Sequence, residues 1–219
     1  MTPNSWTGRF TMETSEYKNG KEKDRTVTHM HFDTYQSAIV IEDEKSEASV
    51  VIFDKRNRTM TTKTDDDGKK QAVVMRMPRV TVNTDEVYED IYDEGKLPHA
   101  TGEYKMINNQ RCQRYTYEDD EVVGEAWISE GSGPSMMDIF GSMNLNPTGK
   151  AAKPPKGSAF SFSGGMVYES TSTDKRSGRI SKMSMRNVIK NGQDPALFNL
   201  NGYNVVKVPN MGNLFKPKN

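Results

Sequence analysis

Residues 6–32 read WTGRFTMETSEYKNGKEKDRTVTHMHF. Trp6, Gly8, Phe10 and Met12 alternate with Thr7, Arg9, Thr11 and Glu13. A period of two sends the first set to one face and the second to the other, as in a half-buried strand. Asn19-Gly20 follows, a pair that tolerates the positive φ angles of a two-residue hairpin loop. The chain then returns through RTVTHMHF. One hairpin is therefore legible before anything else is known.

The same alternation recurs along the chain. Strand candidates are SAIVI (37–41), EASVVIFD (47–54), RTMTTKT (58–64) and QAVVMRM (71–77), separated by short polar turns. Residues 101–130, TGEYKMINNQRCQRYTYEDDEVVGEAWISE, continue the series, as do MVYESTST (166–173), RISKMSMRNVIK (179–190) and YNVVKV (203–208). Many short strands with regular turns predict an antiparallel meander, in which sequence neighbours are sheet neighbours. Composition agrees. Leucine occurs only at positions 97, 145, 197, 200 and 214, whereas it is normally among the commonest residues. Threonine, valine and tyrosine favour sheet instead. Fourteen methionines fill part of the apolar role, with soft side chains that suit irregular cores.

Two regions depart from this pattern. NTDEVYEDIYDEG (83–95) places Val87, Tyr88 and Ile91 at helical spacing, with Gly95 as a stop. Residues 131–165 begin with an apolar cluster, Met136, Met137, Ile139, Phe140 and Met143, and continue as a Gly-, Pro-, Lys- and Ser-rich stretch. The cluster predicts a short covering helix, and the remainder a mobile loop. Near the C-terminus Asp194-Pro195 is a sound helix start, with Asp194 as cap. A length of 219 residues allows one β domain or two. The strands after residue 165 are too few and too polar to close a separate core, so a single domain over 1–219 is expected.

Thirty basic and thirty acidic residues cancel, leaving no net field to attract nucleic acid or an anionic membrane. Mean hydropathy is −0.82 and no run approaches the roughly 18 apolar residues of a membrane-spanning helix. Residues 1–4, MTPN, lack the basic and apolar regions of a secretory signal. Cys112 is the single cysteine, which excludes an internal disulfide and a cysteine-cluster zinc site. It reads as a buried packing residue. His29 and His31 share a strand face and, with His99, offer three nitrogen ligands, but nothing in their spacing brings them together. DDDG (65–68) fails as a calcium loop, because with Gly68 at the sixth position Lys63 and Val74 fall where carboxylates are required. It reads as a hairpin turn. No catalytic constellation is found, no metal or cofactor is expected, and the protein is not expected to be an enzyme.

Thr101, Gly102, Glu103, Ile107, Cys112, Tyr115, Trp127 and Ile128, followed by Phe198, Gly202 and Tyr203, resemble the recurring residues of an uncharacterised family of secreted bacterial domains. That family is similar to the lipoprotein carriers LolA and LolB. The resemblance covers most of the chain, and its motifs are structural. NNQRC (108–112) lacks the glycine that the family often has there. The resemblance implies a mainly β fold with a few short helices: a curved antiparallel half-barrel with the helices on its concave face. It implies a ligand-binding site for a lipid or lipoprotein acyl chain, with Met136, Met137, Ile139, Phe140 and Met143 as lid. It also implies a periplasmic or secreted protein of a bacterium, whose signal peptide is absent from this chain. The alternative is a non-catalytic structural or interaction module with a filled interior.

Overall fold

The computed structural model describes Asn4 and residues 6–43, 46–77, 98–130 and 165–208. The first six strands are β1 (Gly8–Lys18), β2 (Lys21–Phe32), β3 (Gln36–Asp43), β4 (Ser46–Asp54), β5 (Thr59–Asp66) and β6 (Lys69–Arg76). They are followed by β7 (His99–Ile107), β8 (Gln110–Glu118), β9 (Val122–Glu130), β10 (Gly165–Asp174), β11 (Ile180–Lys190) and β12 (Asn204–Val208). All belong to one sheet, in the order β12-β6-β5-β4-β3-β2-β1-β11-β10-β9-β8-β7. Two meanders, β1–β6 and β7–β11, are thus joined by the antiparallel pair β1·β11. The sheet is open, with β7 and β12 at its edges. Among the described residues no helix is long and apolar enough to cross a membrane.

Turn chemistry explains the registers. Asn19-Gly20, Asp67-Gly68 and Asn108-Asn109 all have positive φ, so three of the hairpins close with two left-handed residues. Glycine and asparagine take that conformation at least cost. Asn109, at φ 61°, therefore does in NNQRC what a glycine would do in such a turn. Bulges then bend the sheet. Asn187, at φ 54°, interrupts β11 where the register with β1 jumps from Arg9↔Ile189 to Thr11↔Arg186. Tyr168 is the extra residue of β10 between Val167↔Ile128 and Glu169↔Trp127.

One bond measures the curvature. Asn108, in the β7–β8 turn, donates through Nδ2 to the carbonyl oxygen of Met185 in β11 at 2.7 Å. In a flat sheet β8 and β11 would be separated by three strand spacings, about 14 Å. The contact exists because the sheet curls and the N-terminal half of β10, ahead of its bulge, leaves the β11 ladder.

The core face follows from the register. Phe10, Met30, Ile39 and Val51 lie in one row across β1–β4, and Phe53, Met60 and Met75 in the next across β4–β6. Met12 pairs with Met185, and Met183 lies one pleat further on. Phe10 and Phe32 stack with centroids 5.8 Å apart, and Trp6 meets Phe32 edge-on at 6.0 Å. The Trp6 ring closes over Gly8, where a Cβ would stand 2.5 Å from it. The set read from the alternation of residues 6–12 is therefore the inward one, with Gly8 present because an indole needs its space.

The sheet is antiparallel as expected, with an exception at one edge: β12 runs parallel to β6. Residues 191–203 carry the chain from β11, over the sheet, to the far edge, so β12 arrives pointing the same way as β6. The helix at Asp194 is a single 3₁₀ turn, η1 (Pro195–Phe198), capped as expected by the Asp194 carboxylate accepting from Ala196 N at 2.9 Å. It packs against the face that carries His31 and Lys63, opposite to Phe10 and Met30, and not on the apolar face. The helix expected at 83–95 and the apolar cluster and loop at 131–164 lie outside the described residues.

Candidate functional site

The apolar face is continuous. Register places Met12, Met30, Met60, Met75, Met183 and Met185 on the same side as Phe10, Phe32 and Phe53. Six methionines on one face give a lining that can repack around irregular apolar shapes. Met30 and Phe32 have no exposure. Trp6, ahead of β1, is layered on this face against Phe10 and Phe32. The five side chains expected to bind or cover a ligand, Met136, Met137, Ile139, Phe140 and Met143, lie outside the described residues.

Cys112 is fully buried in the core cluster, with Tyr115 and Trp127 packed against it. Burial first, and the Glu169 carboxylate second, push its thiol up to about 11. A thiol so placed holds its proton and is a poor nucleophile. The residues behind the sequence resemblance are otherwise structural as well. Thr101, Gly102 and Glu103 form a bulge on edge strand β7, where the register with β8 jumps from Ala100↔Tyr115 to Tyr104↔Gln113. Gly102 sits at φ 79°. Thr101 Oγ1 donates to the Arg114 carbonyl oxygen at 3.2 Å, and Glu103 accepts from Arg114 Nη1 at 2.9 Å. Arg114 also donates through Nε and Nη2 to Glu125 on β9, at 2.9 and 2.6 Å.

Arg114 lines a cleft of about 450 Å³ together with His99, Thr116, Glu118, Glu125 and Thr171. Its walls supply hydroxyls, carboxylates and a guanidinium. Tyr117 and Val123 line it as well, so its wall mixes polar groups with apolar ones. The sequence reading missed Arg114. The tight turn at Asp119, whose carboxylate accepts from Glu121 N and Val122 N, would have given it, because that turn fixes the register Thr116↔Glu125.

A second polar cluster was also missed. Lys63 is 4% exposed, on β5, and Nζ donates to the carbonyl oxygens of Leu197 and Asn199 at 3.0 and 3.1 Å. The Tyr203 ring lies 4.6 Å from the same ammonium. Burial holds the Lys63 pKa below its ordinary value. His31 Nδ1 accepts from Asp194 N at 3.1 Å. The histidines do not converge: His99 is on β7, with β8, β9, β10, β11 and β1 between it and β2. Among the described residues no group of three His, Cys, Asp or Glu side chains is placed to hold a metal.

No protein-family model matches the chain, and no curated protein does. Among solved structures it is similar to PNGF-II, over 92% of this chain at 12% identity with a TM-score of 0.38. The chain spans 31% of that structure's length. It is similar to a LolA superfamily protein from Nitrosomonas europaea, over 88% of this chain and 90% of the other, at 9% identity and a TM-score of 0.32. A DUF1329 family protein from Desulfovibrio piger is similar over 89% and 90%, at 10% identity and a TM-score of 0.26. LolA superfamily proteins, which the sequence resembles, are thus among the solved structures to which this chain is similar.

Proposed function

We propose that this protein is a non-catalytic envelope protein that binds a hydrophobic ligand, a lipid or the acyl chain of a lipoprotein, against the apolar face of its curved sheet. The observation that carries the reading is the set of six methionines beside Phe10, Phe32 and Phe53 on one face of an open sheet. An acyl chain gains about 0.8 kcal/mol for each buried CH₂, so a long chain can displace a cover that costs a few kcal/mol to move. Met136, Met137, Ile139, Phe140 and Met143 form that cover in this reading. The inert Cys112 thiol supports a role without covalent chemistry. The resemblance of the sequence to LolA and LolB supports a periplasmic or secreted setting in a bacterium.

The complete burial of Met30 and Phe32 favours a second reading, a structural or interaction module whose interior is already filled. Native mass spectrometry of protein purified from its own source separates the two. A co-purified lipid, displaced by a fluorescent fatty acid, is expected of a carrier. Ile139→Ser with Phe140→Ser should then raise binding of an apolar dye while the sheet persists. Protein free of lipid, unresponsive to fatty acid and indifferent to the double substitution, would leave the filled module as the answer.

A further inference from the structure

The chain between β11 and β12 passes over β1, β2, β3, β4 and β5 before pairing with β6. Its course is set by discrete ties. Asn191 donates from its backbone to Thr7 O at 2.9 Å, and Thr7 Oγ1 donates to the Asn191 side chain at 2.6 Å. Asp194 N then donates to His31 Nδ1, Lys63 Nζ holds the Leu197 and Asn199 carbonyls, and β12 joins β6 through the ladder Asn204↔Gln71 to Val208↔Met75. Ala38, Ile52, Thr61 and Ala72 share the face of His31 and Lys63 and are buried. The same face further along the sheet carries exposed charges such as Arg25 and Arg186, both paired with Glu13. The crossing segment is what η1 brings down on β3 and β4.

The segment itself buries little. β12 is exposed along four of its five residues, with Val205 at 38% and Val206 at 48%. η1 has no buried residue. Its attachment therefore rests on backbone bonds and on a few side chains: Thr7 at its start, and His31 and Lys63 beneath it.

We propose that residues 191–208 are a releasable strap whose acid-sensitive latch is His31, and that loosening it uncovers the strip Ala38–Ile52–Ala72 and the edge of β6. The reasoning is one of donors and acceptors. An N–H pointing at Nδ1 requires a lone pair there, hence a neutral ring with its proton on Nε2. Protonation places a second N–H at Nδ1, donor against donor, and the bond is lost. The groups facing the ring are Arg9 from β1, His29 from β2 and Asp194 from the strap. Arg9 and His29 oppose the added charge. Asp194 favours it, but its Oδ1 is engaged by Ala196 N. Burial opposes it more than any of these groups, so the ring stays neutral to a pH below the ordinary histidine value. Lys63 remains charged in acid and keeps its carbonyls, so the strap loosens first around Asp194.

Hydrogen exchange of the full chain tests this, with rates corrected for the intrinsic effect of pH. Peptides covering residues 192–208 should lose at least threefold protection between pH 7.5 and 5.0, while β1 and β11 keep theirs. The ring of His31, followed by NMR, should titrate with the same midpoint. His31→Asn retains an acceptor near Nδ1 and cannot gain a proton, so its strap should show no such step. Lys63→Met should expose the strap at both pH values. A wild-type strap equally protected at both, a step shared by β1 and β11, or a midpoint apart from that of His31 overturns the proposal.

Discussion

Asn108 Nδ2 donates to the carbonyl oxygen of Met185 across the two strands that lie between them in sheet order. The bond ties the outermost hairpin back onto β11 and holds the curl of the sheet. Asn108 is also a turn residue at φ 50°. Asn108→Gly keeps the turn and removes only the tie, whereas Asn108→Ala strains both. Loss of the bond should cost about 0.5–1.5 kcal/mol, rising toward 3 if the Met185 carbonyl finds no water. Denaturant midpoints should place Asn108→Ala below Asn108→Gly, and both below the wild type. Equal stability of all three would mean that the curvature does not depend on this bond.

Cys112 should be inert. With no exposure and a thiol pushed up to about 11, it carries almost no thiolate at neutral pH. Labelling by a thiol reagent should be slow in the native protein and should accelerate only with unfolding. Cys112→Ser should cost at most about 1–3 kcal/mol, the figure for a buried hydroxyl without a partner, because the Gln110 carbonyl oxygen that accepts from the thiol can accept from the hydroxyl. Fast native labelling would place the thiol in contact with solvent.

How far the sequence could be read is shown by two residues three positions apart. Met60 sits in an alternating run and is inward, as its pattern says. Lys63, in the opposite register of the same run, reads as solvent-facing, yet it is buried. Nothing local encodes that burial: its cover is supplied by Leu197 and Asn199, more than a hundred residues later in the chain. Period and turn residues thus reveal strands, hairpins and the inward face, since these are properties of neighbours. The parallel return of β12, the strap and the Arg114 cluster depend on register accumulated across many strands. The apolar cluster at residues 136–143 is legible only as composition, and lies outside the described residues.

Acid should weaken the fold before carboxylates titrate. The unfolded chain binds a proton at His31 near pH 6.5, while the folded chain binds it only at lower pH. Between those two values the unfolded state holds more protons, so stability falls as pH falls. Below the folded value the loss levels off for this group. Denaturant midpoints from pH 7.5 to 5 should fall in the wild type and fall less in His31→Asn. A parallel decline in both proteins would assign the effect to other groups.

Arg114 supplies the last prediction, because its bonds separate local from global stability. It joins β7 to β9 through Glu103 and Glu125, and its own backbone carbonyl accepts from Thr101 in the β7 bulge. The pairs are partly exposed, and such ion pairs contribute only about 0–1 kcal/mol each. Arg114→Ala should therefore move the global unfolding midpoint little. β7 is different. It is an edge strand, and Thr101, Gly102 and Glu103 bulge out of its ladder between the pairs Ala100↔Tyr115 and Tyr104↔Gln113. Arg114 and the Thr101 hydroxyl tie that bulge to the sheet. Hydrogen exchange at Ala100–Tyr104 should rise several-fold in Arg114→Ala, while β1 and β11 stay unchanged. High salt should do part of the same in the wild type by screening the pairs. If β7 and the sheet centre respond together, Arg114 supports the whole fold and the edge is no independent unit.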